Sequence, residues 1–308
     1  MALTPDGIGG LVGLIPDGAA LTRLATGATW SEGPVWLPSS RRLRWSDIPG
    51  DRILEWWAQD GLLHVYRSGV EFTNGRTLDN DGHVIQCSHG NRRVERDVDG
   101  TVTPVVDHYG SARLNSPNDV VVDIDGSVWF SDPSYGIAAG TVEGHAGERE
   151  YHDHFVFRHD ERKGRTRPVV VDVEEPNGLA FSPDGALLYV SDTSAASRVA
   201  GNHHIRVYDV VGGRCKNGRV FAVVSPGVPD GLRVDERGNV WSSAQDGVHV
   251  FAPDGQAIGV VPVPETVANL CFGGDDGRRL FIAATTGLYG LDTTVRDAAA
   301  VRREAVRP

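Results

Sequence analysis

Residues 174–192 read EEPNGLAFSPDGALLYVSD. Pro176-Asn177-Gly178 leads into Leu179-Ala180-Phe181, Ser182-Pro183-Asp184-Gly185 makes a turn, and Leu187-Leu188-Tyr189-Val190 runs back. Pro and Gly fall where a tight turn needs a preset φ and a permissive residue, and the flanking apolar runs are strand-like. The stretch is a hairpin with Asn177 at the head of a strand that should be buried. A buried amide requires a partner, so the identity of that partner is the first question the sequence poses.

The pattern recurs. Residues 116–132, SPNDVVVDIDGSVWFSD, place Asn118 where Asn177 stands, and residues 228–243, VPDGLRVDERGNVWSS, place Asp230 there. Looser copies are SEGPVWLPSSRRLRWSD (31–47) with Glu32, FTNGRTLDNDGHVIQCSHG (72–90) with Asn74, and VANLCFGGDDGRRLFIAAT (267–285) with Asn269. The six marked positions are 42, 44, 59, 53 and 39 residues apart. A repeat of this length, built from short strands and turns, is the signature of a β-propeller.

Between Asn177 and Asp230 a whole blade is legible, as strands at 179–181, 187–191, 205–210 and 220–224. After Asn269 only three strands are evident, near 270–272, 280–283 and 288–291. Residues 20–25 are expected to add the missing outer strand and to close the ring, leaving no open sheet edge at the seam. We therefore expect an all-β, six-bladed propeller with residues 1–308 forming a single domain. No linker interrupts the chain, and no segment of 12 or more residues sustains an apolar period of 3.6, so helix content should be low.

The net charge of -11 argues against a nucleic-acid groove, which needs clustered cations to displace counterions. The basic runs at 41–44 and 161–167 read as solvated turns. The start, MALTPDGIGG, lacks a basic region followed by an apolar core, and nothing approaches 18 consecutive apolar residues, so no membrane span and a cytoplasmic location are expected. Cys87, Cys215 and Cys271 are too widely spaced for a disulfide framework or a zinc motif. His152-Asp153-His154 lacks a third ligand nearby, no Gly-x-Ser-x-Gly elbow exists, and phosphate loops are absent.

In a propeller the first strand of each blade lines the axis, so the six marked residues form a ring at one mouth of the channel. All six carry a side-chain oxygen. Asn and Asp before Gly are also common turn residues, a reading that suits each one singly and the set less well, since Glu32 is no turn former. Amide and carboxylate oxygens without His or Cys are what a hard divalent cation takes, and Ca²⁺ accepts 6–8 of them in irregular geometry. Glu32 and Asp230 would neutralise it. Ca²⁺ is the first candidate, with Zn²⁺, Mn²⁺ or Mg²⁺ as alternatives.

Second strands return to the same mouth, bringing Asp47, His89, Asp132 and Asp192 near it. The Ser-Asp pairs also suit local turn caps. The long stretches 133–154 and 193–204 fall at this mouth and are expected to act as lids or pocket walls.

At these residues the chain resembles the SMP-30/gluconolactonase/LRE-like proteins. The likeness runs from SEGPVW through CSHGNRRV, RLNSPNDVVVDIDGSVWFSDPSYGI and EPNGLAFSPDG to PDGLRVDERGNVW. It implies a six-bladed propeller with one divalent cation held by Glu32, Asn177 and Asp230. Asn118 matches a metal or substrate contact and Arg113 a substrate-contacting arginine, and Asn74 and His89 are placed with them as substrate-binding candidates. It further implies a hydrolase that opens a sugar lactone to the aldonic acid, the cation polarising the ester carbonyl and Asp230 positioning or activating water. A phosphotriester hydrolase on the same metal, or a calcium-braced binding platform without activity, are the alternatives. The expected partner is a small lactone or ester; nothing in the sequence fixes the oligomeric state.

Overall fold

The structure is a computed structural model and describes residues 10–306. Residues 1–9, on which the expectation of no leader rests, and residues 307–308 lie outside the described residues.

Six four-stranded antiparallel sheets follow one another along the chain, each strand pairing with the next. Blade 1 comprises Ser31–Leu37, Arg42–Asp47, Arg52–Trp57 and Leu63–Ser68. Blade 2 comprises Thr73–Leu78, Val84–Ser88, Arg93–Val98 and Thr101–Val106, and blade 3 Val120–Val122, Val128–Asp132, Phe155–Asp160 and Arg165–Val170. Blade 4 runs through Pro176–Phe181, Leu187–Asp192, His204–Val211 and Arg214–Val223. Blade 5 holds Leu232–Val234, Val240–Ala244, Gly247–Phe251 and Ala257–Pro262. Blade 6 holds Val267–Gly273, Arg279–Ala284 and Gly287–Asp292, with Thr22–Thr26 hydrogen-bonded outside them.

The first strand of every blade packs beside the first strand of the next, and that of blade 6 beside that of blade 1, so the inner strands form a closed ring. Their sequences are buried throughout, as in Pro176–Phe181, whereas the outer strand Arg214–Val223 is mostly exposed. That outer strand starts six residues before the expected 220, because Gly212 and Gly213, at φ 58° and 67°, make the preceding turn tighter. The core lies between blades. Trp36 stacks on Phe281 at 5.3 Å and Trp241 meets Phe272 edge-on at 5.6 Å. Each inner strand is covered by its two neighbouring blades, which is why inner strands such as PNGLAF and VANLCFG carry buried, largely apolar residues.

Among the described residues one α-helix, Ala298–Val306, lies over the far mouth of the channel. Arg302 bonds Asp123 at 2.6 Å and lies over the Phe181 ring at 5.2 Å. Among the described residues no helix is long and apolar enough to cross a membrane.

Candidate active site

Why the marked residues are so often followed by Gly becomes clear at the axis. A Cβ on Gly33 would come within 2.2 Å of the Asn74 carbonyl oxygen, one on Gly178 within 2.3 Å of that of Asp230, and one on Gly231 within 2.1 Å of the Asn269 side chain. Gly33 and Gly178 lie within inner strands and Gly231 directly ahead of one, at points where neighbouring backbones approach too closely for any side chain. Gly75 donates to Asn118 O at 2.8 Å and Gly231 to Ala268 O at 2.8 Å, so the contact is itself hydrogen-bonded.

The ladder also slips at the marked positions, between Glu32 and Val35, Thr73 and Arg76, Pro176 and Leu179, and Val267 and Asn269. Such bulges re-aim a side chain, and here they accompany the residues that face the channel. In blades 3 and 5 the marked residue precedes the ladder instead, held by Asn118 N to Ser131 O at 2.9 Å and by Asp230 N to Ser243 Oγ at 2.8 Å.

Glu32, Asn74, Asn118, Asn177 and Asp230 line one cavity of about 150 Å³, with Trp30, Ile48, Tyr135, Glu143, Thr193, Ala196 and Val228 completing its wall. The backbone of Gly33 and the Asn269 amide both donate to Glu32 Oε2, at 2.7 and 2.9 Å. Burial nonetheless raises the Glu32 pKa to about 8, with the charges of Asp119 and Glu143 adding to the rise. Asp230 is half-buried at the cavity wall, yet its Oδ1 is covered and has no hydrogen-bond partner among the described residues. Burial and then the neighbouring charge of Glu32 push its pKa well above the carboxylate range, opposed by a hydrogen bond from Asn177. Asn74 Oδ1 is likewise covered and unpartnered.

Two expected participants stand elsewhere. Asn269 does not line the cavity: its Oδ1 accepts from Leu270 N at 2.8 Å while its amide holds Glu32, so the sixth ring position is a brace behind a ring member. Arg113 is exposed on the short ribbon of His108–Tyr109 and Ala112–Arg113, its guanidinium 3.4 Å from Asn91 O, and is not among the lining residues. The chain enters the interior only from Leu114 onward, which leaves Arg113 exposed.

His89 lies one layer behind the wall and is fully buried. Its Nδ1 donates to Glu143 O at 2.9 Å and its Nε2 accepts from Asn74 Nδ2 at 3.2 Å, which fixes the neutral tautomer. Burial lowers its pKa to about 4. The carboxylates that end second strands are caps. Asp47 accepts from Thr29 N at 2.8 Å, Asp132 from Asn115 N at 2.8 Å and Asp192 from Ser194 N at 3.1 Å. His154 is spent on Glu174 O at 2.5 Å and Arg149 at 3.2 Å.

Residues 133–154 form a fixed wall. A Cβ on Gly136 would lie 2.5 Å from that of His89, Gly136 N bonds Ser116 Oγ at 3.0 Å, and Gly147 N bonds Ile137 O at 2.9 Å. This wall carries Glu143, a carboxylate with no repeat or spacing to announce it in the sequence. Asp119 is a second omission, although SPND shows it where four of the other copies have Gly. It continues the axis away from the cavity, its Oδ2 facing Arg233 at 3.6 Å. Asp79, Asp81 and His83 also gather ligand atoms within 4.8 Å. They sit on the turn at the opposite end of blade 2, where Asp79 Oδ1 accepts from Asp81 N and His83 N at 3.0 and 2.8 Å, an ordinary turn arrangement.

Comparison with known proteins agrees with this architecture. The model of the SMP-30/Gluconolactonase/LRE-like region matches residues 30–286. A gluconolactonase of Zymomonas mobilis is 32% identical over 296 residues, covering 88% of this chain and 80% of its own length. A pentonolactonase of Haloferax volcanii is 30% identical over 271 residues, covering 85% and 84%. The solved structure of a gluconolactonase from Xanthomonas campestris superposes with a TM-score of 0.86 at 38% identity, covering 95% of this chain and 94% of that one.

Proposed function

The chain belongs to the SMP-30/gluconolactonase/LRE-like family, and from that premise we propose that it is a cation-dependent lactonase, a carboxylic-ester hydrolase that opens sugar lactones at the axial cavity. The observation that carries this reading is the pair Glu32 and Asp230. Two carboxylates share the wall of one cavity, the charge of Glu32 raises the Asp230 pKa, and one Asp230 oxygen is covered without a partner among the described residues.

The donor set fits a hard divalent cation, being made of carboxylate and amide oxygens whose buried charges call for compensation. Glu32, Asn177 and Asp230 would hold it, with Asn118 beside them and Ca²⁺ as the first choice. When bound, such a cation supplies Lewis acidity toward the ester carbonyl and charge for the developing oxyanion. The chain's own groups supply the rest. Asp230 orients the attacking water and takes its proton as the water oxygen bonds to the carbonyl carbon. The ring C–O bond then breaks, and that proton passes to the departing alkoxide, giving the hydroxy acid. Asn177, hydrogen-bonded to Asp230, keeps the carboxylate in place. Asn118, on the same wall, presents its amide to the lactone oxygens. Trp30, Ile48 and Val228 give the lactone ring an apolar surface.

An acid-release assay on five- and six-membered aldonolactones, beside a phosphotriester, tests the class. Acid from the lactones alone is the expected outcome. Hydrolysis of the phosphotriester alone would move the activity to phosphorus, and activity on neither panel would leave a binding platform.

A further inference from the structure

One fully buried cation stands beside the ring without an anionic partner. Arg76 lies on the inner strand Thr73–Leu78 of blade 2, and no carboxylate of the described residues comes within ion-pair distance of it. Burial, and then the like charge of Arg44, lower its pKa to about 9. Taking a charge out of water without a counter-ion is costly, and its hydrogen bonds show what the guanidinium supplies in return. Nη1 donates to Gly33 O at 2.9 Å, across the boundary between blades 1 and 2. Nη2 donates to Ser46 Oγ at 2.8 Å and to Thr73 Oγ1 at 3.3 Å. Ser46 is itself fixed, its Oγ donating to Asn74 O at 3.1 Å, so the guanidinium is held from both blades.

Gly33 is the residue that grips Glu32. It stands at φ 54° where the ladder slips between Glu32 and Val35, and its N–H donates to Glu32 Oε2 at 2.7 Å. Pro34, next in the chain, has no N–H to offer within the bulge. A glycine turns freely about φ and ψ, so a donor on its carbonyl sets the angle at which its N–H meets the carboxylate. We propose that Arg76 is a positioning residue for the cation site, its guanidinium fixing the Gly33 carbonyl and thereby the bulge that aims Glu32 into the axial cavity. The inference rests on the cation-dependent reading above. Charge and alignment make opposite demands here. A fixed positive charge by itself disfavours a divalent cation nearby, whereas an aligned Glu32 favours it, so the sign of the change on removing Arg76 tells which effect it serves.

The test measures calcium affinity by calorimetry for the wild type, Arg76→Met and Arg76→Lys, each also in a Glu32→Ala background, which leaves the bulge no side chain to aim. Turnover of glucono-δ-lactone is measured at saturating calcium. Affinity should fall by about 10-fold in Arg76→Met, within the coupling found between members of one hydrogen-bonded network. It should fall less in Arg76→Lys, which keeps a charged donor for Gly33 O, and turnover at saturation should change far less than affinity. Because the effect passes through Glu32, most of it should vanish in the Glu32→Ala background. An unchanged affinity in Arg76→Met overturns the assignment. A raised affinity does too, since Arg76 would then act only as a charge that restrains cation binding, and an equal loss in both backgrounds would make it a general support of the fold. If Arg76→Met does not fold, the Arg76→Lys series carries the same comparison. A wild type that binds no calcium overturns the cation site and this assignment together, whereas one that binds calcium but opens no lactone overturns only the lactonase reading, the affinities still deciding the role of Arg76.

Discussion

Among the cavity's carboxylates, Asp230 has a covered oxygen that no described residue bonds, and substitutions here separate a ligand from a chemical group. Asp230→Asn keeps size and one oxygen. At saturating cation, turnover should fall by about 10²-fold or more, the scale of a lost acid-base group; recovery of near-normal turnover would reduce Asp230 to a ligand. Asn269→Ala should behave otherwise. It removes the 2.9 Å bond that holds Glu32, so cation affinity falls while turnover at saturation changes little. Glu32 also predicts a pH dependence. Its folded-state pKa of about 8 lies above the ordinary 4.5, so folding favours the protonated form. Its contribution to stability is intact below pH 4.5 and is lost as pH rises through about 8. Cation-free protein should therefore melt at falling temperature from pH 5 to pH 8.5, and saturating Ca²⁺ should flatten that slope; identical slopes would mean that no cation compensates Glu32. The ring residues were legible from the sequence because they recur at blade spacing. Glu143 was not, since a residue in a long loop has no period, and Arg113 misled because nothing in the sequence marks where a lead-in loop turns outward.

At the scale of the strand, the motif and its meaning came apart. Asn-Gly and Asp-Gly suggest turns, yet Glu32-Gly33, Asn74-Gly75 and Asn177-Gly178 lie within inner strands. The glycine is required by the neighbouring strand, a contact distant in sequence and so invisible to local reasoning. Gly178→Ala places a methyl 2.3 Å from Asp230 O. It should cost about 1–3 kcal/mol, the usual range for overpacking, and weaken cation binding, because the strand that must move carries Asp230. Calorimetric unfolding and a calcium titration of the same variant check both effects, and an unaltered affinity beside a lowered melting temperature would detach the ring from its glycines. The helix Ala298–Val306 escaped notice for another reason: at nine residues it is too short for an apolar period to register.

The whole molecule is a ring whose symmetry makes a site no single blade contains. Six inner strands, each ordinary, bring oxygens from residues as far apart as 32 and 230 to one cavity, and the same closure forces their charges together. This was readable because a repeat predicts its own superposition, so that equivalent positions must meet at the axis. The wall formed by residues 133–154 was not, since it departs from the repeat. The central claim is that one cation at this cavity is required for lactone opening. The direct measurement is acid release from glucono-δ-lactone by exhaustively chelated protein as Ca²⁺ is added back, with bound ion counted in the same samples. The account predicts a negligible enzymatic rate without cation and a rise in proportion to occupancy that ends at one ion per chain. A full rate in the chelated protein, or a rate that keeps rising past one bound ion, would contradict it.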